Sequence, residues 1–138
     1  MKIIRVLNLV SLLAAIAVNG LANALPINNV QTGAVSDSFG ALFTPAGYVF
    51  AIWGVIYLTL AIFGVYQVLP AQKDNTRIDR IGIWFILANL FNGAWIFAWH
   101  YLQFTVSLLL MLGLLISLLV IYLRLGIGVS KIAPNERW

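Results

Sequence analysis

No cysteine occurs in the chain. That excludes disulfides, cysteine-ligated metals and a cysteine nucleophile, but leaves the compartment open. Charge is also scarce: 9% of the 138 residues are charged, against roughly 25% in an ordinary soluble domain. Four residues are acidic, and a single histidine, His100, lies between Trp99 and Tyr101. Paired carboxylates, a metal-ligand cluster, a P-loop and a Ser/His/Asp set cannot be assembled from this inventory. The acidic residues Asp37, Asp74, Asp79 and Glu136 all fall between or after the apolar stretches. With no ionisable group at mid-span, an ion-coupled pump or an intramembrane hydrolase is disfavoured, and no enzyme is expected.

What the chain has instead is apolar surface, 62% by residue count. It is gathered into four stretches, residues 3–25, 46–69, 81–99 and 104–125. Each is about the ~20 residues that a helix needs to cross a hydrocarbon core of ~30 Å. The expected fold is an all-α polytopic membrane bundle: a single transmembrane domain over residues 1–138 with four transmembrane helices.

The basic residues give an orientation. Lys2 and Arg5 precede or open the first stretch, and Lys73, Arg77 and Arg80 lie between the second and third. Arg124 closes the fourth, with Lys131 and Arg137 beyond it. Residues 26–45 and 100–103 carry no Lys or Arg. By the positive-inside rule both ends are cytoplasmic, and in a bacterium the membrane would be the plasma (inner) membrane. The net charge of +4 then belongs to juxtamembrane anchors that meet the lipid bilayer, and no nucleic-acid partner is expected.

Residues 1–24 also resemble a signal peptide, with a basic start, an apolar middle and Ala22-Asn23-Ala24 as a small-residue cleavage site. Against cleavage stands a stripe of small and amide residues. At ~100° per residue, Asn8, Ser11, Ala15, Asn19, Ala22 and Asn23 share a sector of about 120°. A helix packed on other helices gains from such a face; a signal peptide does not.

Between the spans, residues 26–45 read as turns, either a solvated connector or a lid over the bundle. Residues 70–80 read as a compact basic connector. Tyr48, Tyr66, Trp84, Trp99, Tyr101 and Tyr122 fall near span ends as an interfacial belt would, and His100 is read with them. The fourth stretch, nearly all Leu, Ile and Val, reads as a lipid-facing wall. Pro134-Asn135-Glu136-Arg137-Trp138 reads as a helix start, with Asn135 as N-cap.

Amides and indoles at helical spacing remain. Asn89, Asn92 and Gly93 share one face of the third stretch, with Trp95 and Trp99 adjoining. On the second stretch, Phe50, Trp53, Gly54, Tyr57, Ala61 and Gly64 share a sector of roughly 100°, so Gly54 and Ala61 are expected at a helix contact. Two readings stay open: amides that bond only across helices, or an aromatic-lined cavity with a few polar groups.

The run Pro45-Ala46-Gly47-Tyr48-Val49-Phe50-Ala51-Ile52-Trp53-Gly54-Val55-Ile56-Tyr57 resembles the second helix of the tryptophan-rich sensory protein family, TspO/MBR. That family includes the translocator protein once called the peripheral benzodiazepine receptor. Tyr48 stands where the family has its first Trp. Asn92-Gly93-Ala94-Trp95 with Phe97 is similar to the family's Asn-x-x-Trp followed by aromatics. The resemblance implies a five-helix bundle, often a homodimer, that binds porphyrin or haem-type tetrapyrroles and sterol-like ligands under its first loop. By that carry-over the ligand-binding positions are Trp53, Tyr57, Asn92 and Trp95. The family's Trp and Lys in the first loop and its Trp-rich fifth helix have no counterpart here. The pattern is nearer to longer relatives that continue into further spans, so the chain is expected to be the N-terminal part of a longer protein.

The expected function is a non-enzymatic binding or sensory protein for a flat hydrophobic ligand such as a tetrapyrrole. A small-solute transporter, or a fragment of one, and a structural membrane subunit without ligand are the alternatives.

Overall fold

The computed structural model describes residues 2–25, 27–30, 32–38, 48 and 52–127, apart from the Asn23 side chain. Among them are six α-helices and no strand: α1 (Ile3–Ala24), α2 (Thr32–Asp37), α3 (Ile52–Tyr66), α4 (Thr76–Ile81), α5 (Trp84–His100) and α6 (Phe104–Leu125). One-turn 3-10 segments lie at Ile27–Asn29 and Pro70–Gln72. The all-helical expectation holds. The helix start expected at residues 134–138, and six of the thirteen residues of the run that carries the family resemblance in the second stretch (45–47 and 49–51), lie outside the described residues.

Two of the described helices are long and apolar enough to cross a membrane. Mean hydropathy is 1.9 over Ile3–Ala22 and 2.8 over Phe104–Leu125. The other two expected spans are shorter: α3 is described over 15 residues and α5 over 17. The third stretch begins at Trp84 rather than residue 81, and the reason is local. Gly82 takes φ 56° and ψ −141°, a conformation that costs little only without a Cβ. It separates α5 from α4, a short helix that Asn75 caps by accepting from the Arg77 N–H at 3.0 Å. Within residues 26–45, read as turns, Thr32–Asp37 is instead helical, while Asn28 and Asn29 take φ 55° and 57°.

At the centre lies α5, with α6 along one side and α1 along the other; α3 packs on α1, and α4 touches α6. The contact face of α1 is the stripe read from sequence. Asn8, Leu12, Ala15, Asn19 and Ala22 are all buried. Asn89 Nδ2 donates to Ser11 Oγ at 3.1 Å, and Asn19 Nδ2 donates to Asn92 Oδ1 at 2.7 Å. Amides with no water to bond thus find each other across the helix pair. Leu12, Ile81 and Phe85 form the apolar centre, with Phe63 set edge-on to Phe85 at 5.6 Å.

Small residues mark the closest approaches, though not where the sequence suggested. A Cβ at Gly54 would meet nothing within 4 Å, whereas one at Gly64 would lie 2.7 Å from Leu12 Cδ2. The α1–α3 contact is therefore made about three turns further along α3, at Gly64. On α6, a Cβ at Gly113 would lie 2.8 Å from the Phe91 ring. With Ser107 and Ser117, also buried, Gly113 gives α6 a packed strip, so that helix is not lipid-facing all round.

Two of the cations, Lys2 and Arg5, form a built structure rather than a solvated fringe. Arg5 is only 2% exposed. Its guanidinium donates to the carbonyl oxygens of Gln72 at 2.5 Å and Asn75 at 2.9 Å, and to Asp79 Oδ1 at 2.8 Å. Lys2 pairs with the other Asp79 oxygen. Partial burial alone would raise the Asp79 carboxyl, but hydrogen bonds and charge from Lys2 and Arg5 outweigh it and hold the group below the usual carboxylate range. The loop after α3 is thus clamped to the start of α1.

Candidate functional site: an aromatic-walled cavity

At the end of the bundle opposite that clamp, the first-loop helix α2 is tied down over α5. Trp99 Nε1 donates to the Thr32 carbonyl at 3.1 Å, and Asn28 Nδ2 donates to the His100 carbonyl at 3.1 Å. His100 is fully buried, which corrects its reading as a belt residue. Its Nδ1 lies 2.7 Å from the Ile96 carbonyl and its Nε2 lies 3.3 Å from Thr32 Oγ1. In the neutral tautomer that Nδ1–H donates to the carbonyl and Nε2 accepts from the threonine. The ring therefore secures α2 to the helix beneath it.

Under α2 is a cavity of about 490 Å³, within the range of small-molecule sites. Trp53, Gly54 and Tyr57 of α3 form one wall, and Trp95 and Ile96 of α5 another. Ile16, Asn19 and Gly20 of α1 close the back, and Thr32, Gly33 and Asp37 of α2 form the rim. The open space at Gly54 is part of this cavity, which is why no neighbour meets its Cβ.

The wall is a run of nearly parallel rings. Tyr57 and Trp53 have centroids 6.1 Å apart with planes at 24°, Trp53 and Trp95 6.3 Å at 28°, and Trp95 and Trp99 5.8 Å at 28°. The helices place them so because Trp53 and Tyr57 are one turn apart on α3, as are Trp95 and Trp99 on α5.

The structure brings together all four residues singled out from sequence, in two layers. Trp53, Tyr57 and Trp95 line the cavity; Asn92 is not among the lining side chains. It hydrogen-bonds the Tyr57 hydroxyl and accepts from Asn19. Thr32, Gly33 and Asp37 were missed, since a turn-rich stretch gives no register by which to place them. One signal was available: Asp37 is the sole acidic residue between Arg5 and Lys73. Among the described residues, no group of three His, Cys, Asp or Glu is placed to hold a metal ion.

Searches among curated proteins and among solved structures give no match. A family model described as TSPO-like protein does match, over residues 5–138. Six α-helices, two of them long and apolar enough to span a bilayer, are the architecture in which that match sits, and the chain belongs to the TSPO-like family of membrane proteins.

Proposed function

We propose that this chain is a non-enzymatic membrane binding or sensory protein for a flat hydrophobic ligand such as a tetrapyrrole. The observation that carries the reading is the ring wall: three aromatic side chains with planes within 28° of their neighbours bordering a cavity of about 490 Å³. A planar ligand laid along Trp53 and Trp95 replaces water on faces that have no other apolar cover, and offset stacking adds ~0.5–1.5 kcal/mol per ring pair beyond burial. Asn92 acts through Tyr57 in this scheme, holding the phenol so that its hydroxyl is directed and its ring stays in the wall. In the bilayer, α1, α3, α5 and α6 serve as the four spans, with both chain ends cytoplasmic and α2 on the outer side.

The experiment is quenching of tryptophan fluorescence by protoporphyrin IX dimethyl ester, titrated into purified protein in uncharged detergent. Saturable quenching is expected, weakened at least fivefold in apparent affinity by Trp53→Phe combined with Asn92→Ala. Weak, non-saturating quenching shared equally by wild type and variant would leave the rings as core packing only.

A further inference from the structure

The two ends of the bundle differ in charge, and the difference bears on what the cavity can hold. At one end Lys2, Arg5 and Asp79 are joined in ion pairs, and Arg124 Nη1 donates to the Arg80 carbonyl at 3.3 Å. Those cations are committed to the clamp and to the helix ends beside it. The cavity is at the other end. No Lys or Arg occurs anywhere between Arg5 and Lys73, nor between Arg80 and Arg124. The lining residues of α1, α2 and α3 and the whole first loop fall in the former interval; Trp95, Ile96 and the turn after α5 fall in the latter. Among the described residues, none that lines the cavity is basic, and the histidine at this end, His100, has both ring nitrogens engaged by Ile96 and Thr32.

One formal charge remains there, and it is negative. Asp37 is the last residue of α2 and part of the cavity rim. Its side chain is exposed, and among the described residues no cation pairs with it. Trp53, Tyr57 and Trp95 line the same cavity. Aromatic faces carry negative electrostatic potential and attract cations, most strongly when the cation is partly desolvated. A carboxylate on the rim adds a Coulombic term of the same sign, and beside a low-dielectric bundle it is screened less than in bulk water. An anionic ligand meets the reverse: it approaches a carboxylate and π faces, and among the described residues no guanidinium or ammonium lines the cavity to receive it.

Resting on the binding reading above, we infer that the cavity selects planar aromatic cations over neutral and anionic ligands of the same shape, and that Asp37 sets this preference. The ring wall supplies shape recognition and part of the attraction; the rim carboxylate supplies the discrimination by charge. Ligands bearing free carboxylates are disfavoured at this site.

The test uses three tricyclic probes of matched size: proflavine, cationic at pH 7; 2-aminoanthracene, neutral; and anthracene-2-carboxylate, anionic. Each is titrated into the full chain in dodecyl maltoside, with tryptophan quenching as the readout and Trp53→Phe as the check that binding is at the ring wall. Proflavine is expected to bind about tenfold more tightly than the carboxylate, a gap that narrows as salt is raised. Asp37→Asn should weaken proflavine roughly five- to tenfold, leave 2-aminoanthracene unchanged, and tighten the carboxylate. Asp37→Glu should retain the cation preference. Because Asp37 is exposed, thermal unfolding of the Asn variant should match wild type. The charge assignment is overturned if the anion binds as well as the cation, or if Asp37→Asn weakens all three probes alike. Trp53-dependent binding that shows no charge preference overturns this charge inference and leaves the ligand-binding proposal standing. Absence of Trp53-dependent binding for all three overturns the ligand-binding proposal with it.

Discussion

Asn19 of α1 and Asn92 of α5 are joined by a hydrogen bond of 2.7 Å, and Asn92 in turn engages the Tyr57 hydroxyl of α3. Three helices thus meet at one amide, directly behind the aromatic wall. Its removal should be felt in both packing and ring placement. Inter-helix hydrogen bonds in bundles of this kind contribute on average ~0.6 kcal/mol and reach ~1.7 kcal/mol. A double-mutant cycle with Asn19→Ala and Asn92→Ala, read by thermal unfolding in detergent, should give a coupling in that range. Strict additivity would mean the contact adds nothing to stability.

Arg5 should be the most costly cation to strand. It is 2% exposed, and Asp79 is its one charged partner among the described residues. Asp79→Ala leaves a buried guanidinium with carbonyl partners alone, and should lower stability by about 2–3 kcal/mol. The Lys2 side chain is 60% exposed; its loss should have an effect within ~1 kcal/mol. Urea or thermal unfolding of the two variants side by side decides it, and equal losses would show that the clamp is a surface pair only.

The same carboxylate makes a pH prediction. Asp79 is held below the usual carboxylate range, so its folded value lies under the ~3.9 of an unfolded aspartate. Its stabilisation is then complete at pH values above the unfolded value and is lost as pH falls through the folded one. Between pH 5 and pH 2, the melting temperature of wild type should fall more steeply than that of Asp79→Asn. Parallel curves would place the acid sensitivity elsewhere.

Glycine substitutions separate packing from cavity. Gly113→Ala drives a methyl into the Phe91 ring, which would lie 2.8 Å away, and should destabilise by ~1–3 kcal/mol. Gly54→Ala meets nothing within 4 Å and should be neutral or stabilise by up to ~1 kcal/mol through helix propensity. Gly54→Leu should leave the melting temperature near wild type while reducing ligand quenching, because the side chain enters the cavity. A large stability loss at Gly54 would show that the open space beside it is filled in the folded protein.

The absence of cysteine makes orientation directly measurable. Single cysteines at Asp74→Cys and Ser38→Cys occupy exposed positions at opposite ends of the bundle. In intact cells, an impermeant maleimide should label the Ser38 site and leave the Asp74 site until the membrane is broken. The reverse pattern would invert the proposed orientation.

Composition and periodicity by themselves determined that this chain is helical and apolar, and which face of α1 turns inward. Those properties depend on local quantities: hydropathy over ~20 residues and the angular repeat of Asn8, Ser11, Ala15 and Asn19. The family resemblance names Trp53, Tyr57, Asn92 and Trp95 as a set, while helical spacing alone puts Trp53 with Tyr57 on one face of the second stretch and Asn92 near Trp95 on the third. Tertiary structure alone decided the rest. Arg5 and Asp79 are 74 residues apart, and nothing local marks a juxtamembrane arginine as the one that will be buried. The glycine that makes the α1–α3 contact proved to be Gly64 rather than Gly54, since both lie on the same face and only the crossing point of the helices chooses between them. His100 reads as an interfacial residue until α2 is laid over it, because burial at a helix end depends on what the preceding loop does. Asp37 became part of a site for the same reason. Its place on the cavity rim is set by hydrogen bonds from Trp99 and Asn28 that anchor the first loop, and those are contacts between segments that sequence spacing does not relate.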